Sequence, residues 1–228
     1  MVEIKPDQVI RSKRKTFSFE ITRDARLVVK VPLSASSRLI EKILSKKRLW
    51  IQRTQKIVQE KYQKFFPKAF VDGEEFLYLG ELYKLYIADD DAVLNPLSFD
   101  CHFRLSRKYL DHAKEIFIRW YKEEASKKIS DRVKWFAQVA GAEYEYGDVK
   151  ISGAEKRWGS CSSKGRLRFS WRLMMAPLEV IDYVVVHELV HLKEKNHSKA
   201  FWNKVESILP SYKTQAVWLK ENEHLLCI

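Results

Sequence analysis

No stretch of this 228-residue chain approaches the 18 or so consecutive apolar residues of a membrane helix, so no membrane partner is expected. The opening residues, MVEIKPDQVIRSKRK, carry charge and no apolar segment, so no secretory signal is expected there. Cysteine is scarce. Cys101, Cys161 and Cys227 are odd in number and far apart, which argues against a disulfide framework and for a reducing, cytoplasmic setting. Internal repeats, low-complexity tracts and Gly/Ser linkers are also missing. What is present is 46% hydrophobic and 13% aromatic content, enough to build a core and to exclude a disordered or fibrous chain. The length fits one domain or two small ones closely packed.

The formal charge of +12 is uneven. Residues 1–70 hold 18 Lys/Arg against 6 Asp/Glu, and the remaining 158 residues hold 24 of each, so the whole excess lies in the N-terminal third. Such asymmetry suits a polyanionic partner. A solvated basic face explains it equally well, and charge alone does not decide.

Period-two alternation at Phe17, Phe19, Ile21 and at Leu27, Val29, Val31 predicts two strands joined by Arg23-Asp24-Ala25-Arg26. A long helix is expected from Ser36 or Ser37 to about Phe66, with Pro67 ending it. Leu39, Ile40, Ile43, Leu44, Trp50, Ile51, Ile57, Val58, Tyr62 and Phe65 form its apolar arc. Arg38, Lys42, Lys46, Arg53, Lys56 and Lys64 form a stripe opposite, spoiled by Glu60, while Lys47 intrudes on the arc. The five cations Arg38, Lys42, Lys46, Arg53 and Lys56 are the candidate nucleic-acid contacts; the neighbouring aromatics lie in the arc and suit a core better than base stacking. A further hairpin is expected at Phe76–Tyr78 and Tyr83–Ile87, a solvated turn at Asp89-Asp90-Asp91, and a second long helix from Ser106 to Ala140 ended by Gly141. Short strands follow near Val149–Ser152 and Arg166–Trp171. The segment Leu178 to Leu192, opened by Pro177, is apolar nearly all round and should be a buried helix. Two short helices, Ser198–Leu209 and Tyr212–Asn222, close the chain. The organisation expected is a basic β/α region over 1–105 and a catalytic domain over 106–228.

The chemistry sits in His187-Glu188-Leu189-Val190-His191, inside that buried helix. Residues four apart share a helical face, so both imidazoles can address one ion. Glu188 is one step round from His187 and can reach a water on that ion without ligating it. A third imidazole, His197, follows once the chain has left the helix; Lys193 and Lys195 suit a helix C-terminus and Asn196 a left-handed turn. With 6 His and 19 Glu available, a shuffled chain shows H-E-x-x-H about once in a hundred. A buried helix is nonetheless a costly place for two imidazoles and a carboxylate without compensation. Three protein ligands leave a fourth tetrahedral position to water, the pattern of a catalytic zinc, one per chain. The metal would lower the water's pKa towards roughly 7 and polarise a carbonyl, while Glu188 accepts the water's proton. Cys161 could fill the fourth position instead, though a small buried apolar role suits it better.

Four blocks, R-W-G-S-C-S-S (157–163), L-R-F-S-W-R-L (167–173), V-V-H-E-L-V-H-L (185–192) and N-H-S-K-A-F-W (196–202), together resemble the YgjP-like metallopeptidase family. That family lies among the zincins, near SprT-like and WLM-type proteases. The resemblance implies an α+β fold with a zincin-like core, made of a backing helix, a small twisted sheet and the active-site helix. It implies zinc ligands at His187, His191 and His197, a general base at Glu188, and a protein or peptide substrate. Zincins place a strand over the metal, and the strand of Arg168, Phe169, Ser170 and Trp171 is the one expected to take substrate along a free edge, with Trp158–Cys161 at one end of the cleft. Glu194 stands where metzincins carry Gly, which argues against that clan. The alternatives are a nucleic-acid-associated binding protein, or a protease acting on DNA-bound proteins as the SprT-like and WLM-type relatives do.

Overall fold

The computed structural model describes residues 5–22, 25–62, 68–89, 95–141 and 144–228. Compact units are formed by Met1–Phe66 and Pro67–Ile228.

In the first unit, β1 (Gln8–Ser12), β2 (Ser18–Ile21) and β3 (Leu27–Pro32) form a sheet in the order β1-β3-β2. The expected hairpin is β2 with β3, antiparallel, with Phe19 opposite Val29; Arg23 and Asp24 of its loop lie outside the described residues. β1 runs parallel to β3 and is exposed at every position, so it carries no alternation to betray it. Leu27, Val29 and Val31 pack with Ile40, Leu44 and Ile51 as a small core.

The single long helix expected here is two, α1 (Ser37–Lys46) and α2 (Arg48–Tyr62). They part at Lys47, the cation that intrudes on the apolar arc. It caps α1 at φ −96° and ψ 7°, and its ammonium stays in solvent 5.7 Å from the rings of Phe19 and Trp50. The break also divides the basic stripe: Arg38, Lys42 and Lys46 are exposed on α1, Arg53 and Lys56 on α2. Trp50, assigned to the core by its arc, is 45% exposed.

The boundary between compact units falls at 66/67, not at 105/106. β4 (Glu75–Tyr78), β5 (Glu81–Ala88), β6 (Leu97–Phe99) and β7 (Phe103–Ser106) form a sheet in the order β4-β5-β7-β6. Its aromatics complete the same core as the long helix α3 (Ala113–Ala140): Phe76 stacks on Phe117 with centroids 4.4 Å apart, and Phe103 meets Trp120 at 5.0 Å. Residues 68–105 therefore belong with α3. A six-residue 3-10 turn, Arg107–His112, precedes α3 where one continuous helix was expected.

After α3 come β8 (Val149–Ser152), β9 (Gly159–Cys161) and β10 (Leu167–Ser170), a sheet in the order β8-β10-β9. Then follow a 3-10 turn (Trp171–Met175), α4 (Leu178–Val190), α5 (Lys199–Ile208) and α6 (Tyr212–Asn222). The architecture is mixed α+β, with a long helix, a small sheet and a buried helix in that order. Two contacts fix α4. Arg132 on α3 donates from Nε and Nη2 to the Asp182 carboxylate at 2.6 and 2.8 Å. At its N-terminus, Gly80 (φ +88°) in the β4–β5 turn lies so close that a Cβ there would stand 2.8 Å from Pro177 Cγ.

Candidate metal centre and active site

Helical spacing brings His187 and His191 to one face of α4, and the chain then turns sharply to return His197. The turn is held from both sides. Lys195 Nζ donates to the carbonyls of His191 (3.1 Å) and Leu192 (3.4 Å), and the Ser198 side chain caps α5 by accepting from Phe201 N–H at 3.3 Å. Phe201, fully buried, packs on the rings of His187 (4.9 Å) and His191 (4.6 Å), and Trp202 stacks on His197 at 5.7 Å.

The three Nε2 atoms converge. That of His197 lies 2.9 Å from that of His187 and 3.2 Å from that of His191. His191 Nδ1 is 2.9 Å from the Glu194 carbonyl, which can only accept, so the His191 proton sits on Nδ1 and its Nε2 offers a lone pair. A single Nε2 atom can form one good hydrogen bond at most, so of the two close approaches made by His197 one is left unsatisfied. A cation at the centre compensates all three. Nitrogens 2.0–2.1 Å from a tetrahedral zinc would lie about 3.3 Å apart, close to the spacings here. Burial and the two neighbouring imidazoles pull His187 down to about 3, and burial lowers His191, so the rings are kept in the neutral form that ligation needs. The histidines, the donor set and the spacing fit zinc.

Glu188 is 5% exposed. Burial pushes its carboxyl up to about 7, opposed by the charge of Arg157 and a hydrogen bond from Cys161 N–H. That bond follows from the sheet. Ser170 N–H donates to Trp158 O (2.8 Å) and Ser162 N–H to Arg166 O (2.9 Å), with Ser160 opposite Arg168. Main-chain groups of Trp158, Ser160 and Ser162 thus face β10, and those of Gly159 and Cys161 face away, towards Glu188. A Cβ on Gly159 would stand 2.6 Å from Glu188 Cγ and Oε1. The three histidines, Glu188 and Gly159–Ser163 line one cleft of ≈ 440 Å³. A smaller recess of ≈ 250 Å³, lined by Trp158, Tyr183 and Leu219, opens on its other flank beside His187 and Glu188.

Residues 15–222 match the family described as YgjP-like, metallopeptidase domain. The chain belongs to this family. A curated relative named UTP pyrophosphatase, from Escherichia coli (strain K12), is 39% identical over 54 residues, 24% of this chain; the match spans about a third (32%) of that relative's length. Two solved structures are similar over 42% of the chain. They are the metallopeptidase zymogen of Pyrococcus abyssi abylysin (22% identical, TM-score 0.38, 95% of that chain) and that of Methanocaldococcus jannaschii jannalysin (24% identical, TM-score 0.37, 96% of that chain).

In this YgjP-like chain the strand expected to receive substrate is interior. β10 is paired on both sides, parallel to β8 and antiparallel to β9, so it has no free edge. Phe169 and Ser170 are buried, and Trp171 opens a 3-10 turn with its ring stacked on Tyr121 at 5.6 Å, so none of the three can meet substrate. Arg168 is exposed on the outer face, and Trp158 is half-buried in the recess beside the histidines. The cleft strand is β9. Sequence reasoning also missed Arg172, only 4% exposed, which donates to the carbonyls of Leu226 (2.5 Å) and Glu155 (3.0 Å) and lies 4.8 Å over the Trp158 ring, setting that ring in place. A cation inside the apolar run W-R-L-M-M was its one signal. Cys161 lines the cleft, but its sulfur is outside the three-histidine cluster, and burial pushes its thiol up, away from the thiolate a ligand needs. A second donor group, Asp100, Cys101 and His102, is a run of turn residues bonded to one another. Asp89 of the acidic run pairs with Arg107; Asp90 and Asp91 lie outside the described residues. Among the described residues no helix is long and apolar enough to cross a membrane.

Proposed function

We propose that this YgjP-like chain is a zinc-dependent peptidase in which His187, His191 and His197 hold the ion and Glu188 is the general base. One observation carries the reading: three Nε2 atoms within 2.9 and 3.2 Å of their neighbours, sharing a cleft with a buried carboxylate. When bound, the zinc supplies Lewis acidity to the attacking water and to the scissile carbonyl. Glu188 takes the water's proton at a carboxylate oxygen and passes it to the leaving amine. Cys161 N–H and the close-lying Gly159 backbone hold that carboxylate in one place. The peptide lies along the outward main-chain groups of β9, where Gly159 offers an N–H and a carbonyl.

The test is metal analysis and peptide hydrolysis on the native chain, Glu188→Gln and His191→Ala. Glu188→Gln keeps one zinc per chain and loses hydrolysis by orders of magnitude; His191→Ala falls well below one zinc. A Glu188→Gln protein that lost zinc and activity together would make Glu188 a ligand. Because one relative is named UTP pyrophosphatase, UTP belongs among the substrates assayed.

A further inference from the structure

Between Glu155 and Glu179 the chain carries six cations and no carboxylate: Lys156, Arg157, Lys164, Arg166, Arg168 and Arg172. They fall in the part of the chain, 71–228, whose formal charge is zero. Strand alternation sorts them. Leu167 and Phe169 take the buried face of β10, so Arg166 and Arg168, two residues apart, project together on the other, and Ser160 opposite Arg168 shares that face. Arg157 and Lys164 close in from the loop before β9 and the turn after it. The four cations line a depression of ≈ 430 Å³ together with Ser160, Ser162 and Ser163, and the Ser162 hydroxyl accepts from Arg166 N–H at 3.1 Å. Those serines also line the cleft of the three histidines, so the two cavities share a wall. The strand between them has only three residues, a span of about 10 Å.

Asp148 accounts for part of this charge, with Arg166 Nε at 3.3 Å and Lys150 Nζ at 3.1 Å. Among the described residues no carboxylate forms an ion pair with Lys164 or Arg168, and the charge of Arg157 is felt by Glu188 in the adjoining cleft. These are cations beside a reaction cleft with hydroxyl donors between them, and guanidinium forks match a carboxylate in two-point geometry.

We infer that this pocket is a specificity subsite, taking an Asp or Glu side chain of the peptide substrate within a few residues of the scissile bond. The inference rests on the peptidase reading above and names its substrate class. A chain lying along β9 with its scissile carbonyl at the histidines turns alternate side chains to the serine wall, and an acidic one is drawn to Arg157 and Arg168.

The experiment is a matched peptide set bearing Asp, Glu, Asn or Gln at successive positions around the cut. It is assayed as kcat/KM with the zinc-loaded native chain, with Arg166→Gln/Arg168→Gln and with Arg168→Glu; zinc content and Tm check that each variant folds. The native chain cleaves the acidic peptides about tenfold or more faster than their amide counterparts, as one or two charge-assisted hydrogen bonds provide. The double variant brings the ratio towards one through KM, and Arg168→Glu turns the preference towards Lys peptides. Equal cleavage of acidic and amide peptides by the native chain, or a ratio unmoved by the variants, overturns the subsite while the peptidase reading stands. If no peptide is cut, the peptidase reading has failed. The pocket is then judged by calorimetric binding of the acidic peptide to zinc-loaded Glu188→Gln: arginine-dependent binding upholds it, and none overturns it. Arginine-dependent hydrolysis of a nucleoside triphosphate without an acidic-peptide preference overturns the carboxylate assignment in favour of phosphate.

Discussion

Adding one methyl group at Gly159 tests how the general base is held. A Cβ there meets Glu188 Cγ and Oε1 at 2.6 Å and Cδ at 2.8 Å, all under the roughly 3 Å that packed carbons tolerate. β9 cannot yield easily, being paired with β10 through Ser160 and Arg168 and flanked by the Trp158–Ser170 and Ser162–Arg166 hydrogen bonds. α4 cannot yield either, with Val184, Val185 and Leu189 buried around it and Asp182 clamped by Arg132. The Glu188 side chain must therefore rotate out of its place against the sheet and leave the Cys161 N–H. Overpacking of this kind costs about 1–3 kcal/mol of stability. Displacing a catalytic group by about 1 Å costs about 10²-fold in rate, or about 2.7 kcal/mol of barrier. For Gly159→Ala we expect one zinc per chain, Tm lowered by a few degrees, and kcat on a peptide reduced at least about 10²-fold. Zinc content, a thermal melt and steady-state kinetics measure the three. Native kcat with native Tm would refute the reasoning, since nothing would then have needed to move.

Three further outcomes follow from the same geometry. In the metal-free protein Glu188 titrates near 7 against 4.5 in the unfolded chain, so the native state holds the extra proton between those values and its stability falls as pH rises from 4.5 to 7, by up to about 3 kcal/mol. Metal-free Glu188→Gln should lack that loss, and parallel slopes in thermal melts of both proteins at pH 5 and 8 would contradict it. Arg132→Leu strands Asp182, 8% exposed, without its partner and should destabilise by about 3 kcal/mol in urea unfolding; a change below about 1 kcal/mol would show that the clamp is relaxed by solvent. The N-terminal unit, with Arg38, Lys42, Lys46, Arg53 and Lys56 exposed, should bind DNA or RNA with affinity that falls steeply with salt and little sequence preference. Equal weak binding by the native chain and a Lys42/Lys46/Arg53/Lys56→Gln variant would remove nucleic acid from its partners.

What could be read from the sequence was what depends on local spacing. His187 and His191 share a face because a helix repeats every 3.6 residues, and the Lys195 and Asn196 exit needed only the chemistry of a helix end. The buried helix, the β2–β3 hairpin and α6 were legible for the same reason. Lys47 was legible as a misfit in the apolar arc, but whether a misfit bends, breaks or snorkels is settled by what lies beside it, here Phe19 and Trp50. The strand error is of another kind. L-R-F-S alternates inward and outward identically whether its two edges are free or paired, because alternation reports faces and not neighbours. Its neighbours come from elsewhere: β8 arrives after α3 as four residues none of which is fully buried, and β9 is three residues, G-S-C, with no hydrophobic period at all. The same blindness hid Gly159. Read locally, it is a glycine in a turn-rich segment; its lack of a side chain is required only because Glu188, on another element, lies where the Cβ would go. A motif therefore identifies the groups that can react, while the residues that hold those groups still are set by contacts across the sheet. That is why Gly159→Ala, which alters no reacting atom, is the sharper test of the site than removing Glu188 itself.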